Sequence, residues 1–185
     1  MPSADFHTLV TAQYNAARAE LTNDSPLVLL LIGTELTGVA VGHGAAPDAV
    51  LSLAIGAQKT PRDFFKHRPP SPLELENAIV TVEDEVTRAR KLIPPGATLV
   101  TTDSSIREIA HLSGMTPGAV VHLPLDTMER TFERLAQVSL GRPASFDSLP
   151  TDNAFAATLL ILREFMHHLQ FDDITVLQAD SWFAP

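Results

Sequence analysis

The segment Pro26–Gly42, PLVLLLIGTELTGVAVG, holds the residues of this chain best placed to do chemistry. An apolar run reaches Gly33, turns through Thr34-Glu35-Leu36-Thr37-Gly38, and returns as Val39-Ala40-Val41. A strand–turn–strand with small residues at its tip can wrap backbone N–H groups around a phosphate. This tip has few glycines and carries an acid, Glu35. Phosphoryl transfer would also need cations, a base for water and usually a metal. A basic stretch follows at Lys59, Arg62, Lys66 and Arg68, readable as a polyanion or acidic-partner site or as a solvated loop. His167 and His168 are adjacent, so on a helix they diverge by about 100° and do not chelate one metal. Glu83-Asp84-Glu85 reads as the wet side of a helix.

Composition narrows the classes. The 185 residues fit one domain, and 45% hydrophobic with 19% charged is enough for a real core. A net charge of −9 argues against nucleic acid or an anionic membrane as the main partner. With no cysteine, disulfides, thiolate metal sites and Cys nucleophiles are excluded. MPSADFHTLV lacks the pattern of a secretory signal, and Leu27–Ile32 is too short to span a bilayer, so a cytoplasmic location is expected.

The elements that must position these residues follow from periodicity. Residues 5–22 read as a helix with Phe6, Leu9, Val10, Ala17 and Leu21 near one face. Leu27–Ile32, Leu36–Val41 and Val50–Ile55 read as an antiparallel meander. Residues 57–71 read as an irregular Pro-rich connection. Ser71-Pro72-Leu73-Glu74 is a strong helix start, with Ser71 as cap, Pro72 at the first position and Glu74 closing a capping box. Its apolar stripe runs to about Leu92, before Pro94-Pro95-Gly96. A strand is expected at Ala97–Thr101. A helix follows from Asp103, its simplest N-cap, to about Leu112, with Ser105 and Glu108 as a possible capping box. Ala119–Leu123 reads as strand or extended, Asp126-x-x-Glu129 as opening a helix to about Val138, and Arg142–Pro150 as a loop. Asp152–Leu169 reads as a long apolar helix with room for a subunit interface, and Ile174–Leu177 as the last strand. Trp182 and Phe183 read as interface anchors or as folding back on the domain. A meander followed by strand–helix alternation is the pattern of an actin-like (ribonuclease H-like) α/β domain, with a mixed sheet flanked by helices.

In this order of motifs the chain resembles the second domain of the exopolyphosphatase / guanosine pentaphosphate phosphohydrolase (Ppx/GppA) family. The family's D-I-G-G-G-S-T-E turn corresponds to Leu31-Ile32-Gly33-Thr34-Glu35-Leu36-Thr37-Gly38. Its S-L-x-L-G-A-V-R-L-T segment corresponds to Ser52-Leu53-Ala54-Ile55-Gly56-Ala57-Gln58-Lys59-Thr60. Its L-V-G-T-G-G-T segment corresponds to Leu99-Val100-Thr101-Thr102-Asp103-Ser104-Ser105, and a His at the next helix entry to His122. The resemblance implies a linker-type helix over residues 1–25 and one domain over 26–185.

The departures carry as much information. Leu31 stands for an acid, Thr34 and Glu35 for glycines, Leu36 for a Ser, Asp103-Ser104 for a glycine pair, and Lys59 for an Arg, losing a bidentate fork. The family's terminal Arg falls near Trp182, its helix-borne catalytic base falls on Ala12-Gln13-Tyr14-Asn15-Ala16, and no first domain is present. What remains of a phosphate site is Gly33, Thr37, Lys59, Ser104 and Ser105, with Glu35, Asp103 and His122 as further candidates and no metal ligands singled out. The resemblance with these departures implies a catalytically degenerate binding or interaction protein, a homodimer, with a small phosphorylated ligand possible. The other reading is a phosphohydrolase of polyphosphate or guanosine penta/tetraphosphate whose cleft a second subunit completes. No cofactor is expected on the first reading, and Mg²⁺ on the second.

Overall fold

The central strand is apolar without alternation because both of its faces are buried. This strand, β1 (Leu27–Ile32), pairs antiparallel with β2 (Thr37–Gly42) along six residues and parallel with β4 (Thr98–Thr101) on its other side. The computed structural model describes residues 3–21, 25–146 and 148–178. With β3 (Ala49–Leu53), β5 (Val120–Pro124) and β6 (Asp173–Leu177), the sheet has the order β3-β2-β1-β4-β6-β5. β1, β4 and β6 run parallel, while β2 opposes β1 and β3, and β5 opposes β6. This is the actin-like, mixed-sheet α/β arrangement that the element order predicts.

One helix covers one face. In α1 (Ser3–Glu20), Phe6, Val10, Tyr14 and Ala17 pack on Leu27, Leu29, Ala40, Val100 and Leu177. The other face holds α3 (Pro72–Thr87), α4 (Ser104–Leu112), α5 (Leu125–Ser139) and α6 (Asn153–His168). α6 is apolar nearly all round because it lies among α3, α4 and α5 of its own chain. Its apolar faces are therefore interior rather than open for a subunit. Trp182 and Phe183 lie outside the described residues. No helix among the described residues is long and apolar enough to cross a membrane.

Several boundaries differ from the sequence reading. The connection 57–71 is not irregular throughout, since Lys59–Phe64 forms α2. The third strand stops at Leu53 because the Ala54 N–H turns away to the Glu85 carboxylate, 2.7 Å. α3 ends at Thr87, where Arg88 and Ala89 bond back three residues to Glu85 and Val86, and a 3-10 turn covers Arg90–Leu92. α5 starts at Leu125 without a side-chain cap, Asp126 being engaged with Arg130 and Thr127 instead. The loop 142–150 contains a 3-10 turn at Ala144–Phe146.

The start of α3 forms as read. Ser71 accepts from the Glu74 N–H and Glu74 accepts from the Ser71 N–H. Glu74 also accepts from the Lys66 N–H at 2.8 Å and contacts His67 Nδ1 at 2.9 Å. Burial opposes ionisation of Glu74, but these hydrogen bonds outweigh it and hold the carboxyl at about 2. A depressed carboxyl stabilises the fold above its unfolded value, and the contribution fades as pH falls toward about 2. Glu74→Gln should therefore melt below wild type at neutral pH, with the gap closing between about pH 4.5 and pH 2. Thermal melts across that range provide the check, and a gap independent of pH would contradict the assignment.

Candidate functional site

The turn after β1 meets two other segments at the C-terminal end of that strand. Gly33 N–H donates to the Leu36 carbonyl at 2.9 Å, closing the tip on itself. The Gly33 carbonyl accepts from Ala57 N–H at 2.9 Å, and the Thr34 carbonyl from Gln58 and Lys59 N–H at 2.9 and 3.1 Å. The amides at the start of α2 are thus capped by the hairpin's own carbonyls. Gly56 permits this approach: a Cβ there would lie 2.6 Å from the Thr34 oxygen and 2.8 Å from the Gly33 oxygen. This non-local capping explains why α2 forms where composition alone reads as loop.

The charges at the tip are also matched internally. Glu35 holds Arg62 through two parallel bonds of 2.8 and 2.7 Å. That hydrogen bonding holds the Glu35 carboxyl below its ordinary range and raises Arg62 further. Lys59 is ion-paired with Asp63 one turn along α2. Arg68 reaches the Thr151 carbonyl, 3.4 Å. Lys59, Arg62 and Arg68 are therefore engaged by separate partners rather than gathered into a pocket.

Asp103 is the other buried anchor. It caps α4 by accepting from Ser105 N–H at 2.8 Å, and its second oxygen accepts from Ile32 N–H at 3.1 Å. A carboxylate of the protein itself thus sits at the helix N-terminus, where an external anion would otherwise be favoured. Burial pushes the Asp103 carboxyl above its ordinary range, against the pull of the Ser105 and Ile32 bonds.

These segments border a cavity of about 320 Å³, lined among others by Gly33, Thr34, Gln58, Ser105, Glu108, Asp152 and Thr158. Its lining includes no Lys or Arg. Of the residues singled out from sequence, Gly33 and Ser105 reach it. The Thr37 hydroxyl is fully buried and donates to the Ile55 carbonyl at 3.0 Å. Ser104 faces grooves on the other sides of α4. Glu35 lines a separate apolar groove with Phe6, Leu9, Leu31 and Leu36. His122 lies on β5, with β6 and β4 between it and β1, and contacts the Thr175 hydroxyl at 3.2 Å. His167 and His168 face different carboxylates, Glu129 and Glu164. Among the described residues no three His, Asp or Glu side chains converge to hold a metal ion.

Sequence reasoning did not single out Gln58, Glu108, Asp152 or Thr158 as cavity residues. Asp152 was legible as the start of α6, and it does cap that helix by accepting from Phe155 N–H at 2.8 Å. Its place at the cavity depends on how α6 crosses the sheet, which local spacing does not encode.

Two substitutions test this geometry. Gly56→Ala should cost about 1–3 kcal/mol, because rigid backbone oxygens oppose the new methyl. Asp103→Ala should cost about 2–4 kcal/mol, combining a lost cap with an orphaned Ile32 N–H. Denaturant melts measure both, and a neutral result at either position would contradict the packing described.

No protein-family model and no curated protein matches this sequence. Solved structures do resemble it. The Aquifex aeolicus member of the Ppx/GppA family matches with a TM-score of 0.77 and 21% identity, over 93% of this chain and 58% of its own. An exopolyphosphatase from Cytophaga hutchinsonii matches at 0.71 and 13%, over 93% and 59%. An exopolyphosphatase-like protein matches at 0.70 and 11%, over 97% and 62%. The likeness establishes a shared fold. The chain spans about three-fifths of the length of these structures.

Proposed function

We propose, from this shared fold and the chemistry of the hairpin corner, that the chain is a non-hydrolytic binding protein that associates with a second copy of itself. The observation that carries the reading is that several donors and cations of this corner are already engaged. Gly33 N–H, the amides opening α2, Lys59, Arg62 and the start of α4 all have partners within the chain. A phosphate entering the adjoining cavity would meet Glu108 and Asp152 and no cation among the lining residues. Like charges there oppose binding rather than assist it.

A second reading has one observation in its favour. The cavity lies at the carboxyl end of β1, bordered by the N-termini of α4 and α6, a place where α/β sheets commonly receive ligands. On that reading a second subunit would bring the missing cations and base, and polyphosphate or guanosine penta/tetraphosphate would be the substrate. Among the described residues no three carboxylate or imidazole side chains converge to hold Mg²⁺ on their own.

Phosphate release from polyphosphate and from guanosine pentaphosphate, measured with Mg²⁺, separates the two. The first reading expects release no greater than buffer. Turnover that Lys59→Ala abolishes would overturn it. Melting-temperature titrations with ATP, guanosine tetraphosphate and polyphosphate extend the test, since a ligand of the native state raises the midpoint. No concentration-dependent rise is expected, and a saturable rise would assign the protein to ligand sensing.

A further inference from the structure

α4 divides the carboxyl end of the sheet into two sides of opposite character. Its Ser105 and Glu108 border the cavity described above, whose lining holds acids and no cation. On its other side Ser104, Arg107 and His111 recur at helical spacing, about one polar group per turn. This stripe borders two adjoining cavities of about 410 and 510 Å³, which share Ser104, Arg107 and Pro117. The first has apolar walls of Ala110, Met115, Pro117 and Val121. In the lining of the second, Arg107 is the one charged residue among the described residues.

The segment that closes these cavities is pinned at several points. Met115 N–H donates to the Ala110 carbonyl at 3.0 Å, and Gln178 N–H to the Ala119 carbonyl at 2.8 Å. Arg107 Nη1 donates to the Gly118 carbonyl at 2.8 Å. The groove is thus formed before any ligand arrives. Arg107 is not satisfied by that bond. Its second terminal nitrogen, Nη2, is buried without an acceptor. A buried guanidinium N–H is costly to leave unpaired and calls for a partner. The Ser104 hydroxyl and the His111 ring also have no partner among the described residues.

We infer that this groove binds a small organic acid, with its carboxylate on Arg107 and Ser104 and its apolar body against Met115, Pro117 and Val121. A planar carboxylate matches the guanidinium fork in shape and charge. One cation in a chain of net charge −9 suits a single negative charge rather than a polyphosphate. Glu108 is the one acid in either lining, and it opposes the anion from the apolar side. The inference rests on the binding role proposed above and gives it a ligand class.

Amide NMR during titration with hexanoate, benzoate and phenylacetate tests this. The matching amides, acetate and inorganic phosphate serve as comparisons. At least one of the three acids should give saturable shifts at Ser104, Arg107, Ala110 and Val121. Its amide should bind about tenfold more weakly for want of charge, and acetate and phosphate likewise for want of an apolar body. Arg107→Gln should weaken binding about tenfold, and Glu108→Gln should tighten it about threefold. Circular dichroism establishes that each variant is folded, and if Arg107→Gln is not, Glu108→Gln and the amides decide. Any one of four results would overturn the inference. These are no saturable shift with any of the acids, an acid bound no better than its amide or than acetate, affinity indifferent to Arg107→Gln, and no tightening in Glu108→Gln. Such a failure would leave the non-hydrolytic reading standing, whereas phosphate release would overturn that reading and leave this groove standing.

Discussion

The carbonyl groups of Gly33 and Thr34, pressed over Gly56 onto the first amides of α2, hold the carboxyl end of the sheet together. They cap a six-residue helix that has no side-chain cap of its own. Asp103 completes the corner by tying the last residue of β1 to the start of α4. Buried backbone groups must find partners, and here each finds one inside the chain. A turn that binds phosphate must instead leave its amides open to the ligand. Gly33 N–H, bonded to the Leu36 carbonyl, and the α2 and α4 amides engaged here are not open to a ligand, which links the fold of this corner to the question of activity.

The electrostatics point in the same direction. Glu35 takes Arg62 and Asp63 takes Lys59, so two nearby cations are neutralised on the protein surface. Exposed pairs of this kind add little stability. Their effect is on recognition, because they neutralise positive potential beside the hairpin tip. The buried carboxylate of Asp103 acts likewise at α4, standing as an internal anion at the helix N-terminus.

What the sequence made legible was local. The capping box at Ser71 and Glu74, the caps Asp103 and Asp152, and the apolar run of β1 all declare themselves through neighbours a few residues away. α2 was hidden because its amides are satisfied by carbonyls more than twenty positions earlier in the chain. The apolar girth of α6 was legible as burial, but only the packing of α3, α4 and α5 around it shows that the chain covers it itself. Thr37 looked available because its type suits phosphate binding, yet its place on β2 directs the hydroxyl into the core toward Ile55. The alternation of β2 could have indicated an inward position; the partner it finds there is tertiary.

Amide NMR of the hairpin corner tests the central claim most directly. Residue-resolved shifts and hydrogen exchange would be followed for Gly33, Ala57, Gln58, Lys59 and Ser105 during titration with tripolyphosphate. The account predicts that these amides exchange slowly, as engaged donors do, and that their shifts stay unchanged. Saturable shifts at Ala57, Gln58 and Ser105 would show donors open to an anion and contradict it.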